Sequence, residues 1–495
     1  MPKRGGGPAV EGKFEIRCGD CRDLLKELPD ESVDLILTSP PYWSLRDYGP
    51  SAETVWGGDP ACVHEWEEMP KGWPNRGYAT HGAETKRPEL GWEKTVPSGG
   101  SFCRKCGAWR GQLGLEPDWR MYVEHVREVF RECRRVLRRS GNLAVVLGDT
   151  FAFSSGKKGV SDPGTPEKMK LGIPWRVRFA LNDDGWISRD DIVWAKTNNM
   201  PSSVRSRFTC IYEMVFRFIK DTSPGPYAQV RSSAPPEVER EFRRRCAEWG
   251  SVGVLPLDMC ESTWRPHLVR LDVYFDLDAV REPHASSTAA RYLQRTLDRQ
   301  SGGPKAAPYA DACLRRKDRI SHSILLSGRE RVLKALRSAD WVQEKLFGGH
   351  DWDEAEARPP EHGKYARAGL RDYVSGLHEN RWDEYFHIYG KNPGDVWLLP
   401  TAKFTGAHFA VFPLALAKRL VLALCPPGGV VLDPFCGSGT TLVAAVRLGR
   451  RGLGFEVNPE YAAMARDRAA AVAAQEVLEF ARTATHGIVG GCYGA

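Results

Sequence analysis

The chain has 495 residues, 42% of them hydrophobic and 27% charged, with a formal charge of +7. This is enough apolar material for a large core and suggests about two to four domains. No apolar run approaches the roughly 18 residues of a membrane span. The N-terminal "MPKRGGGPAVEGK" lacks a signal peptide's apolar stretch, and thirteen cysteines, an odd number, point to reduced thiols in a cytoplasmic setting.

In chain order, residues 1–13 read as a flexible tail. Residues 14–49 read strand, turn, helix, strand: "KFEIRC", "GDC", "RDLLKEL" and "SVDLIL", the last a branched apolar run suited to a buried strand. It runs straight into "TSPPYW". Pro40 and Pro41 fix φ near about −65° and remove two N–H donors, so the chain stops pairing and its carbonyls and side chains point at something else. Residues 50–117 are rich in Gly, Pro, Trp and charge without a sustained period and predict an irregular insertion. A helix is expected over about 119–139, where Val126, Val129, Phe130, Cys133, Val136 and Leu137 keep helical spacing with arginines opposite. "GNLAVVLGD", "WISRDDIVWAK" and "CIYEMVFRFI" read as further strands. Residues 221–270 are Pro-rich and mixed. Residues 271–392 suggest a separate lobe, with twelve Lys or Arg against four Asp or Glu between Arg291 and Arg337. Two basic patches in one chain favour a nucleic-acid partner, and a solvated helix face is the plainer alternative.

Within the insertion stand Cys62-x-His64 and, in "FCRKCGAW", Cys103-x-x-Cys106. Two such pairs are the usual way a structural zinc is held tetrahedrally, and a zinc would explain how a segment so poor in period stays folded. His81 could compete as a ligand.

From 408 onward the α/β grammar is clear. "VVLD" is a short buried strand, "PFCGSG" a tight turn, "TTLVAAVRL" a helix and "GLGFE" the next strand, ending in Glu456. This βαβ unit has glycines where a ligand can approach the backbone, and Glu456 lies 23 positions beyond Asp433, near the spacing of a carboxylate that binds ribose hydroxyls. Only Gly437-x-Gly439 of the dinucleotide fingerprint is present, which suits a nucleoside ligand without a pyrophosphate.

Taken together, "DPFCGSGTT", "TSPPYW" and the upstream "IRCGDC" resemble S-adenosylmethionine-dependent DNA amino-methyltransferases of the N4-cytosine/N6-adenine type. The tip precedes the glycine turn by nearly 400 residues, an order similar to the circularly permuted beta class. "GKNPGDVW" and "HFAVFPLALAKRLV" extend the resemblance. The implied fold is a Rossmann-like α/β methyltransferase, circularly permuted, with the zinc-binding insertion and a target-recognition region. The expected layout is 14–49 and 118–220 for the catalytic half, 50–117 for the insertion, and 221–392 for target recognition. The cofactor half would be 393–480 and the C-terminal tail 481–495.

On the resemblance, Asp20 meets the adenine amine with Cys21 beside it, and Phe435 takes an adenine face. Gly437 and Gly439 pass under the methionine portion, and Glu456 takes the ribose. Asp433 orders the loop, and Thr440 caps the next helix or touches the carboxylate. His408 and Phe412 line the neighbouring segment or belong to the core. At the tip, the Pro40 carbonyl and the Ser39 hydroxyl are acceptors for an exocyclic amine, Pro41 stiffens them, Tyr42 stacks on a base rotated out of the duplex, and Trp43 widens that platform toward DNA. Ser before the two prolines, in place of Asp or Asn, is the family's tendency for cytosine N4, with adenine N6 the runner-up. Arg315, Arg316, Lys317 and Arg319 would contact DNA, as phosphate contacts more than readers of sequence. The expected partner is double-stranded DNA, with a cognate restriction nuclease allowed and no membrane. The choice between monomer and dimer stays open. A rival reading is a DNA-binding subunit that keeps the fold without catalysis. Ser39, Tyr42 and Glu456 argue against it.

Overall fold

A computed structural model describes residues 12–68, 100–152, 165–166, 168–199, 205–231, 234–282, 391–401 and 412–489, with side chains of the last helix as far as residue 475. The chain divides into two compact units, Met1–Ala279 with Gly394–Ala495, and Val280–Pro393. Of the second unit the described part is its two ends, joined by an antiparallel bridge between Glu282 and Lys391.

The centre of the first unit is an eight-stranded sheet. In chain order the strands are β1 (Phe14–Cys18), β2 (Val33–Thr38), β7 (Leu137–Leu147), β8 (Ile187–Lys196), β9 (Tyr212–Ile219), β13 (Val396–Leu399), β14 (Val430–Asp433) and β15 (Arg451–Glu456). In space they run β1-β15-β14-β2-β7-β9-β8-β13. β9 pairs antiparallel with both neighbours, and all other pairs are parallel. β2 and β14 are buried along their whole length, which is why both read as unbroken apolar runs. Helices α1 (Cys21–Lys26), α2 (Trp119–Val136) and α3 (Ile173–Asp183) pack side by side. A second row is formed by α5 (Leu414–Leu424), α6 (Thr440–Arg447) and α7 (Pro459–Val489).

α2 buries the face that its spacing predicts: Val126, Val129, Phe130, Cys133 and Val136 are wholly enclosed. It ends at Val136, earlier than expected, because Leu137 pairs with Val33 and begins β7. Three of its arginines have acidic partners. Arg127 and Arg131 bind Asp184, and Arg135 binds Asp30 and the carbonyls of Leu25 and Leu28.

The insertion is more regular than its sequence suggests. β3 (Glu53–Trp56), β4 (Trp66–Glu68), β5 (Ser101–Cys103) and β6 (Trp109–Gln112) form an antiparallel sheet in the order β3-β6-β5-β4. Strands of three or four residues are too short to show a period. The mixed segment likewise folds: β10 (Tyr227–Val230), β11 (Leu255–Pro256) and β12 (Leu268–Leu271) pack with α4 (Pro236–Trp249) around Phe242, Cys246 and Trp264.

The chain leaves β14 through α6 toward β15, and leaves β2 through α2 toward β7, on the other side. The neighbouring carboxyl ends of β14 and β2 therefore form a topological switch point, the place where open α/β sheets bind ligands.

Candidate active site

Two loops meet at this switch point. The first follows β14. Asp433, its last residue, is almost fully buried and accepts from the hydroxyls of Thr38 and Thr441, each at 2.6 Å, and from the Phe435 N–H at 3.1 Å. Thr38 is the last residue of β2, so one carboxylate ties the ends of the two central strands together. Burial pushes Asp433 up to about 6 against those three hydrogen bonds. Past it, Gly439 adopts φ +82° as α6 begins, and a Cβ there would stand 2.9 Å from that of Ala465, so the turn accepts only glycine without strain. Arg468 from α7 donates to the Ser438 carbonyl and, at 2.7 Å, to its hydroxyl, fixing the loop from outside.

Glu456, at the end of β15, faces the same loop. One carboxylate oxygen accepts the Gly437 N–H and the other the Asn458 N–H, both at 2.9 Å. Burial raises this carboxyl to about 7 in spite of those donors. Each oxygen keeps a lone pair for a further donor. The Thr440 hydroxyl, buried at the start of α6, has no partner among the described residues. Phe435 is half-buried against the main core. Cys436 and Cys21 lie in the core, their thiols pushed well up by burial, so neither is poised as a nucleophile. Asp20 caps α1 through the Arg22 N–H at 2.9 Å and pairs with the Arg22 guanidinium at 2.5 Å.

The second loop is the tip after β2. Pro40 is buried, and Ser39, Pro41, Tyr42 and Trp43 are half-buried. Tyr42 lies against the backbone of Gly148, where a Cβ would fall 2.6 Å from its ring. Its hydroxyl donates to Glu213 at 2.7 Å, and Glu213 is paired in turn with Lys196. Burial, and then the Glu213 carboxylate, hold the Tyr42 phenol well above its ordinary value. The Trp43 indole N–H donates inward to the Glu116 carbonyl at 3.1 Å.

In the insertion, the ligand atoms of Cys62, His64, Cys103 and Cys106 all lie within 4.8 Å of one another. Cys62 and Cys103 sulfurs are 3.9 Å apart, and Cys106 Sγ is 3.4 Å from His64 Nδ1. A tetrahedral zinc with thiolate bonds of about 2.3 Å sets sulfurs about 3.8 Å apart. Cys103, which burial alone would raise, is drawn down to about 6 by the Cys106 N–H, His64 and further backbone donors, while burial and the neighbouring thiols raise Cys62 to about 11, so the cluster shares its protons unevenly.

The structure therefore sets the loop carrying Ser39–Tyr42 and the loop carrying Gly437, Gly439 and Thr440 on the adjoining ends of β2 and β14, joined by Thr38–Asp433, with Glu456 bonded to the second loop, and it brings Cys62, His64, Cys103 and Cys106 together at another point. Arg315, Arg316, Lys317, Arg319, His81 and His408 lie outside the described residues; Phe412 is buried. Glu213, Lys196, Thr441 and Arg468 escaped the sequence reading. Glu213 left one signal, as the single acidic residue in the apolar "IYEMVFRFI".

A doubly wound sheet with a glycine turn and a proline-stiffened tip side by side at its switch point defines a ligand-binding α/β protein. The chain belongs to the N6/N4-type DNA methylase family, which it matches over residues 33–322 and 353–467. It is thus a DNA amino-methyltransferase of the N4/N6 type. It is 29% identical to the Type II methyltransferase M.SfiI of Streptomyces fimbriatus over 459 residues, 90% of this chain and 89% of that one. With M.SmaI of Serratia marcescens it shares 24% over 469 residues, 92% and 90% of the two chains. Among solved structures, the PvuII DNA methyltransferase (cytosine-N4-specific) aligns at TM-score 0.41 and 13% identity, covering 92% of this chain and 86% of that one. A putative DNA modification methylase from Thermus thermophilus, complexed with S-adenosyl-L-methionine, aligns at 0.37 and 18%, covering 93% and 96%. Among the described residues no helix is long and apolar enough to cross a membrane.

Proposed function

We propose that the chain methylates the exocyclic N4 amine of cytosine in duplex DNA, using S-adenosylmethionine and a base rotated out of the stack. The observation that carries this is the Thr38–Asp433 hydrogen bond of 2.6 Å, which sets the tip loop and the glycine turn on adjoining strand ends. Ser39 before the prolines favours cytosine over adenine. The glycine loop suits the cofactor: Thr440 offers a buried hydroxyl without a partner among the described residues, the glycines admit close approach, and Glu456 has lone pairs for two ribose hydroxyls. Phe435 would face the adenine, and Asp20, whose two oxygens each accept two hydrogen bonds from Arg22, would exchange one of them for the adenine amine. S-adenosylmethionine, when bound, supplies the electrophilic methyl group.

The amine of cytosine is a poor nucleophile because its lone pair is delocalised into the ring. The Ser39 hydroxyl oxygen and the Pro40 carbonyl accept its two N–H groups, favour the tetrahedral nitrogen and take up its developing charge. The prolines hold these acceptors in place before reaction. Tyr42 stacks on the base with its hydroxyl anchored by Glu213. Tip first and glycine turn last is the circularly permuted order. On this reading 221–392 selects the target and the insertion holds a zinc on Cys62, His64, Cys103 and Cys106. Digesting DNA from an expressing strain to nucleosides, with mass spectrometry and single-molecule sequencing, tests the reading. N4-methylcytosine at one motif is expected; N6-methyladenine would reassign the base, and no methylated amine would end the proposal.

A further inference from the structure

The insertion does more than bridge two parts of the chain. β6 and the residues after it are stitched to the segment that follows the tip at four points. Gln112 accepts the Tyr48 N–H at 2.9 Å through its side-chain oxygen and donates to the Arg46 carbonyl at 3.2 Å. The Gly114 carbonyl takes the Ser44 N–H at 2.7 Å, and the Glu116 carbonyl takes the Trp43 indole. The Glu116 carboxylate is wholly buried. It accepts the Gly114 N–H at 2.8 Å and holds His125 Nδ1 of α2 at 2.9 Å.

That His125 ring is clamped by the insertion sheet itself. Trp56, the last residue of β3, stacks on it at 4.4 Å between centroids, and Trp109, the first of β6, at 5.4 Å. Trp56 and Trp109 face each other across the β3–β6 ladder. The Cys62–His64 pair follows Trp56 by a few residues, and Cys106 precedes Trp109 by three. Whatever draws the two Cys/His pairs together therefore also sets the two indoles on His125.

We infer that the insertion is a metal-dependent strut for the catalytic tip: zinc on Cys62, His64, Cys103 and Cys106 fixes Trp56 and Trp109, and these hold the His125–Glu116 pair that anchors residues 43–48. The inference rests on the proposed methyl transfer at that tip and on the zinc reading. Glu116 and His125 are positioning residues: Glu116 meets the tip through its main-chain carbonyl on the Trp43 indole, and His125 acts through Glu116. The alternative, an insertion that grips DNA, makes the opposite kinetic prediction.

The test compares the full-length enzyme as purified, after chelation, and after zinc is restored, on a duplex carrying its mapped methylation site. Metal content should be about one zinc per chain. Zinc removal should lower the single-turnover rate at saturating DNA and S-adenosylmethionine about 10²-fold, the scale of a small misplacement of reacting groups. Both dissociation constants should stay within about threefold, and zinc should restore the rate. Hydrogen exchange gives a second readout that needs no activity: on zinc removal the Ser44 and Tyr48 amides should lose protection, while the 430–440 segment keeps its own. Glu116→Ala, with zinc retained, should reproduce the rate loss, and Glu116→Gln, which keeps a carbonyl acceptor, should lose less. Weaker DNA binding with an unchanged saturated rate would overturn the strut, as would a Glu116→Ala enzyme of full rate and tip protection. Fully active enzyme without zinc would remove the metal site. A zinc-loaded enzyme with a protected tip and no methyl transfer would instead refute the catalytic reading.

Discussion

Lowering the pH from 8 to 6 should weaken S-adenosylmethionine binding about tenfold, with Glu456 the group responsible. Its carboxyl is pushed up to about 7 by burial. Ribose hydroxyls donate to the carboxylate, so a ligand they anchor prefers the ionised form. If only that form binds, the apparent dissociation constant scales with one plus the ratio of protonated to ionised carboxyl. For a pKa of about 7 that factor is about 1.1 at pH 8 and about 11 at pH 6. At the ordinary value the same interval would change affinity by only about a few per cent. Calorimetric titration across pH 6 to 8 reads the difference directly. Glu456→Gln should bind about 10- to 100-fold more weakly at pH 8, the loss of hydrogen bonds to a charged group, and should flatten the pH dependence. The variant also separates Glu456 from Asp433, which titrates near 6. Affinity that stays level from pH 8 to 6 in the native enzyme would refute the assignment. The sign for the ligand-free protein is opposite: both raised carboxyls favour the fold while protonated, so their contribution is full at low pH and is lost as pH rises through about 6 and 7.

Ser39→Ala and Tyr42→Ala should each lower turnover about 10²-fold or more while cofactor affinity survives; near-normal turnover in Tyr42→Ala would end the stacking role. Gly439→Ala, forced to φ +82° against Ala465, should cost about 1–2 kcal/mol or more in urea unfolding, and an unchanged midpoint would show that the turn relaxes freely. Neutralising Arg315 and Arg316 should weaken binding to every sequence and flatten the salt slope by about one unit per lost contact, with the methylated motif unchanged. An altered motif would make those residues readers of sequence.

The sequence alone determined whatever its consecutive residues encode. Two prolines stop a strand wherever they stand, which made "TSPPYW" legible as a stiff tip. Glycines between a branched apolar strand and a helix marked "DPFCGSG" as a tight turn, and the helical spacing of Val126, Val129, Phe130 and Cys133 foretold the buried face of α2. Tertiary structure decided partners. Periodicity says that a face is buried but not against what, so nothing local announced that Thr38 would donate to Asp433, 395 residues away, or that Glu213 would hold the Tyr42 hydroxyl. Nor could the spacing of α2 tell that Arg127 and Arg131 would share Asp184 and that Arg135 would pair with Asp30. The insertion's strands were invisible because three or four residues carry no period. Their order exists through pairing across the chain and through the two indoles that close on His125.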